Sequence, residues 1–176
     1  MRTVVFLLSH LIPAVAFADG DGTLNPDEMG MGRMLDNAAR GETSMTTCAS
    51  GYMMTKSGQH EAARRLFERC AAAGYTGAMT WMGHLDTNGL GAAEDPDRAA
   101  DWDRRAADLG DPVGQFNHGL NLMRGRGIRQ DVAKGRSFVD RAARAGLPVA
   151  RRLQRAEYDL DEVTPDADNW RYGPMF

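Results

Sequence analysis

Apolar residues recur along most of this chain at spacings of three and four, with polar residues between them, which is the pattern of helices that bury one face. The pattern is clearest at Ala78, Trp81, Met82 and Leu85 and, beyond a glycine-bounded loop, at Ala99, Trp102, Ala106 and Ala107. These two stripes predict a helical pair. Asp95 is placed to cap the second helix, Pro96 sits at its first position, and Gly110 ends it. A shift of 36 residues then pairs Gly83, Gly89, Gly91, Asp95, Arg105, Ala106, Ala107 and Gly110 with Gly119, Gly125, Gly127, Asp131, Arg141, Ala142, Ala143 and Gly146. The helical pair is therefore a repeated unit, with Phe138 standing for Trp102 and Gly135 for Ala99.

The same plan extends in both directions. Residues 43–74 read as a shorter first repeat: a helix to about Thr55, a turn at Lys56-Ser57-Gly58, and a helix over residues 59–73 closed by Gly74. Its glycine spacing, Gly51 to Gly74, is four residues less than Gly83 to Gly110, so the loop between its helices is cut. Ahead of it, Asn25 as cap and Pro26 at the first position predict a helix to Arg40, whose ending LDNAARG is similar to VDRAARAG at residues 139–146. That is half a repeat. After Leu147 a final helix, PVARRLQRAEYDL, begins like another repeat and has no second helix. Terminal units of this kind close a stack in which each repeat buries its apolar face on its neighbour.

The combination A-x-x-x-[LM]-G, G-x-G, an Asp four residues on, A-x-x-[WF] and A-A-x-x-G resembles the Sel1-like repeat. The second repeat matches fully. The third keeps the glycines, Asp131, Phe138 and Ala142-Ala143 but has Gly114 and His118 where the family has Ala and Leu, and the first lacks G-x-G. The resemblance implies an all-α, right-handed α-α solenoid of about three helix-pair repeats with terminal capping helices, spanning residues 26–158. It also implies a protein that holds other proteins, with no shared catalytic motif. One feature departs from a regular stack. In the third repeat Phe116, Leu120 and Met123 form the stripe, whereas their counterparts in the second are Thr80, His84 and Thr87. Either the helix turns between repeats or one of these faces is exposed for a partner, which makes His84, Phe116, Leu120 and Met123 candidate contact residues.

The two ends lie outside this pattern. Arg2, the apolar run at residues 3–12 and Ala16-Phe17-Ala18 read as a signal peptide, residues 1–18, cleaved after Ala18. The stretch is 16 residues and contains Ser9, His10 and Pro13, short of the roughly 20 that span a bilayer. Residues 19–25 form an acidic leader. Together with Glu28 it resembles part of a calcium loop, with Asp19, Asp21 and Glu28 as candidate ligands, but Phe17 stands where the first ligand belongs. Met29, Met31 and Met34 raise copper(I) as a question, and the helical spacing of residues 31, 34, 35 and 38 favours core packing instead. Residues 159–176 form an acidic and aromatic tail in which Trp170, Tyr172 and Phe176 are candidate partner contacts.

Composition adds compartment and partner class. The mature chain would carry 20 basic and 24 acidic side chains, a balance that implies no nucleic-acid partner. The charge is uneven: residues 124–155 hold ten Lys or Arg, and residues 157–168 hold six acids and no base. The two cysteines, Cys48 and Cys70, fall on the two helices of the first repeat, and in an oxidising compartment they are expected to pair. His60, His84 and His118 lie on separate helices with no metal-ligand spacing, and no nucleophile or phosphate-loop motif is present. The expectation is an exported, periplasmic, non-enzymatic adaptor without cofactor, whose partner is another protein. The alternatives are an accessory subunit held to a membrane complex by an uncleaved N-terminus or by the tail, and an enzyme acting on envelope polymers.

Overall fold

A computed structural model of the chain describes residues 30–163. Eight α-helices follow one another there: α1 Met31–Ala39, α2 Met45–Lys56, α3 His60–Ala72, α4 Thr76–Thr87, α5 Pro96–Asp108, α6 Pro112–Arg124, α7 Val132–Arg144 and α8 Pro148–Arg155, with a closing 3-10 turn Leu160–Glu162. The described residues contain no strand. Each helix packs on the next, so α2–α3, α4–α5 and α6–α7 are three helical hairpins stacked side by side, with α1 at one end and α8 at the other. This is an α-α solenoid. The predicted caps form: Asp95 accepts from the Arg98 amide, Asp131 from that of Lys134, and Asp111 from that of Gly114.

One glycine per hairpin sets how closely its helices approach. A Cβ on Gly51 would lie 2.5 Å from the Phe67 ring, one on Gly83 2.9 Å from the Asp103 carboxylate, and one on Gly119 2.8 Å from the Gly135 carbonyl. The first helix of each pair therefore presses its backbone against the second. In α8 the equivalent position is Arg155.

The G-x-G loops join repeats rather than merely turning the chain. Gly127 has φ 64°, and a Cβ there would lie 1.9 Å from the Pro96 carbonyl oxygen, while Gly91 meets the start of α3 in the same way. Each loop thus rests on the first turn of the preceding repeat's second helix. Arg64 fixes the second-repeat loop further, donating to the Leu90 carbonyl at 2.7 Å and to the buried Asp86 carboxylate at 2.7 Å.

Two boundaries differ from expectation. Gly30 is extended, so the described first helix begins at Met31; the expected caps Asn25 and Pro26 lie outside the described residues. The last helix stops at Arg155 rather than near residue 160, because Glu157 and Tyr158 take positive φ. The Tyr158 hydroxyl bonds the Asp140 carboxylate, and Arg124 donates to the carbonyls of Leu160 and Val163. The chain turns back on the third repeat as a cap. No helix among the described residues is long and apolar enough to cross a membrane.

Candidate functional site

The buried apolar residues do not form one continuous core. A first cluster, with Met54, Leu66, Phe67, Met82 and Leu85 at its centre, belongs to the first two repeats. A second, built on Phe116, Leu120, Val139, Ala150 and Leu153, belongs to the third repeat and the cap. Between them, a third and smaller cluster of Ala107, Leu122 and Phe138 links α5 to α6 and α7, and beside it the interface of α5 with α6 carries a buried polar group.

The repeat itself shows how unusual this interface is. Phe67, Asp103 and Val139 occupy equivalent positions in α3, α5 and α7. Phe67 stacks on Trp81 of α4, with ring centroids 6.0 Å apart, and Val139 shares the second cluster with Leu153 of α8. Asp103 instead meets Asn117 and Asn121 of α6, the counterparts of Trp81 and Leu85. Their side-chain amides donate to its two carboxylate oxygens at 3.2 and 2.8 Å. Asp103 is only 4% exposed, and burial pushes its carboxyl up to about 7; the two amides pull the other way, and the carboxylate of Asp111 adds to the rise.

His118 lies on the same helix with 2% exposure, edge-on to Phe138 at 4.6 Å. Its Nδ1 is buried without a hydrogen-bond partner. Burial lowers its pKa below the usual 6.5, with Lys134 adding to the effect, so the ring is held neutral. Its counterpart in the second repeat is Met82, a plain core residue.

A second group of side chains lies on α2 and α4. The Tyr52 ring meets Trp81 edge-on at 5.4 Å, and Trp81 meets His84 in the same manner at 5.3 Å. His84 is half-buried and is steadied by Asn88, whose amide lies 3.1 Å from its Nδ1. Lys56 sits over the Tyr52 ring, and Met45 and Met53 on α2 are 65% and 60% exposed.

The other expected contact residues fall elsewhere. Phe116, Leu120 and Met123 are 0%, 2% and 4% exposed, so they are core and not a partner surface. They share one cluster with Val139 of α7 and Leu153 of α8, to which Tyr158, Leu160 and Val163 of the returning chain add. Trp170, Tyr172 and Phe176, the calcium candidates Asp19, Asp21 and Glu28, and Met29 lie outside the described residues. Met31 and Met34 pack against the first core cluster. No group of three or more His, Cys, Asp or Glu among the described residues is placed to hold a metal ion. Cys48 and Cys70 are joined by a disulfide with Cα atoms 5.8 Å apart.

Comparison with known families identifies the repeats. The family described as Sel1 repeat matches residues 76–111 and 112–147. Residues 76–147 thus match two tandem Sel1 repeats. Among solved structures, the chain is similar to a Sel1 repeat protein from Oxalobacter formigenes, with 24% identity and a TM-score of 0.60 over 74% of this chain and 98% of that one. It is also similar to c5321, a protective antigen present in uropathogenic Escherichia coli strains that displays an SLR fold, with 20% identity and a TM-score of 0.54. That match covers 79% of this chain and only 27% of the antigen. At these identities the likeness carries the fold. No curated protein matches the sequence. Sel1 repeats generally mediate contacts between proteins.

Proposed function

We propose that this chain is an exported, non-enzymatic adaptor or regulator that binds another protein of the bacterial envelope through the surface of its repeats. The observation that carries this reading is the side-chain group on α2 and α4. Tyr52, Trp81 and His84 form a linked aromatic set on α2 and α4, and α2 also carries Met45 and Met53, two of the large hydrophobic side chains most exposed among the described residues. Aromatic and methionine side chains are enriched where proteins bind, because they bury much area and adapt their shape. Export is supported by the signal-like residues 1–18 and by the disulfide of the first repeat, a bond that persists in oxidising compartments.

The test is affinity capture from envelope extracts with the wild-type chain and with a Met45→Lys, Met53→Lys double variant. Both methionines are exposed, so the variant keeps its fold. A protein recovered by the wild type and lost by the variant supports the reading; identical recoveries from both overturn this surface. Sequencing the mature N-terminus checks export, with a start at Asp19 expected and a start at Met1 pointing to an anchored accessory subunit.

A further inference from the structure

The α5–α6 interface, between a body α1–α5 and a body from α6 onward, sets the buried Asp103 and the amides of Asn117 and Asn121 beside apolar contacts, Ala106 on Gly114 and Ala107 with Leu122 and Phe138. We propose that this interface is a proton-operated joint: with Asp103 protonated the two bodies pack closed, and with Asp103 ionised the third repeat loosens from the second.

The geometry leaves the ionised carboxylate poorly supported. From α4, Asp103 faces the backbone of Gly83, which offers no charge. From α6 it receives two neutral amides, Asn117 and Asn121, and at the start of that helix the carboxylate of Asp111 repels it. The cations of its own helix are engaged elsewhere. Arg104 pairs with Asp101 and Asp108, Arg105 lies over the Trp102 ring, and Arg98 reaches toward Asp86. On α4, Asp86 is held by Arg64 and His84 by Asn88. A buried carboxylate with no cation is costly when charged. The equivalent joint, Phe67 on Trp81, carries no such group.

The carboxyl titrates at about 7 when folded and near 3.8 in the open chain. Its folded value is the higher one, so the stability it contributes is present below the unfolded value and is lost as pH rises through 7. Between pH 6 and 8 the resulting loss is about tenfold in the equilibrium for opening the joint. The pKa of His118 is lowered by burial, and Lys134, Arg104, Arg141 and Asp108 also act on it; it works in the opposite direction and offsets part of the change at the pH 6 end, an effect that His118→Met removes.

Backbone amide exchange on the full chain at pH 6 and 8, corrected for the intrinsic rate, reads the joint directly. Protection of α6 and α7 is expected to fall about tenfold, while α2 and α3 keep theirs. Asp103→Asn, and Asp103→Leu as the variant that imitates the other joints, are each expected to abolish the fall. A carbon-detected titration of the wild type gives the midpoint of Asp103 itself. Equal losses in the first and third repeats, persistence of the fall in both variants, or a midpoint below 5 would each overturn the proposal.

Discussion

The two inner joints of this solenoid are built on one plan and differ at three equivalent positions, while a buried Arg64–Asp86 pair crosses the first joint as well. Where the first repeat meets the second, Phe67 lies flat on Trp81 beside a fully buried Leu85. Where the second meets the third, the same three positions are Asp103, Asn117 and Asn121, and they are satisfied by hydrogen bonds. The backbone plan is unchanged: Gly51 and Gly83 make the same close approach to Phe67 and Asp103. The difference shows that a helical repeat fixes geometry through its glycines and caps while leaving the joint itself open to variation. It also predicts that the joints respond differently to the same insult.

The largest effect is expected at the apolar joint. Phe67→Ala removes a ring that is 2% exposed and leaves a cavity between α2, α3 and α4, costing about 3–5 kcal/mol. Asp103→Ala removes a buried carboxylate and strands two amides that are only half-buried, so its cost is smaller and vanishes as pH rises above 7. Urea denaturation of both variants at pH 8 checks the order. Equal losses would mean that the polar joint is as firmly packed as the apolar one.

Next in size is the crosslink, which belongs to the apolar side of the comparison. Cys48 and Cys70 close a 22-residue separation across the first hairpin, and by loop entropy the bond contributes about 3 kcal/mol. Replacing both by Ser is expected to lower the first repeat's stability without changing the pH response of the third. Thiol labelling of the unreduced, denatured chain should find no free thiol, and two labelled thiols would remove the basis of this prediction.

How far the sequence shows these features depends on what kind of residue carries them. Glycines, caps and the Ala-Ala pairs repeat at one offset, so helix order, hairpin pairing and the half-repeat at each end are legible directly. The full cover over Phe116, Leu120 and Met123 is not, because part of their cluster comes from Tyr158, Leu160 and Val163, a segment with no counterpart in any repeat. Periodicity reported a face on α6 and had no means of saying what lay on it. The polar joint was within reach: aligning Phe67, Asp103 and Val139 exposes a lone carboxylate among core positions. Its partners required three dimensions, since Asn117 and Asn121 read as polar surface until α5 is laid against them. Tyr52 and Trp81 share this property, being ordinary stripe residues in sequence and a linked aromatic group only once α2 and α4 are side by side.

A smaller effect, read as a slope rather than a midpoint, comes from His118. Its folded value lies below 6.5, so the unfolded chain takes up the proton first, and stability is lost as pH falls below 6.5. His118→Met places the side chain of Met82 at the equivalent position and removes the unpartnered Nδ1. The variant is expected to lose the acid-side slope in thermal unfolding between pH 6.5 and 5 while keeping the Asp103 response above pH 6. Retention of the full acid slope would place that sensitivity elsewhere.

The smallest effect serves as the control for the whole comparison. Asp95 and Asp131 start the second helices of repeats two and three, with the same hydrogen bond from the amide three residues on, at 3.0 and 2.9 Å. Both hydrogen bonds are solvent-exposed and involve neither Phe67 nor Asp103. Asp95→Ala and Asp131→Ala should each cost about 1 kcal/mol, as helix caps generally do, and by the same amount at pH 6 and pH 8. Two equal and pH-independent losses would show that the repeats share their helix energetics, so that their different responses originate in the residues between them. A markedly larger loss for Asp131 would instead trace the weakness of the third repeat to its own helices, and the contrast between Phe67 and Asp103 would no longer explain it.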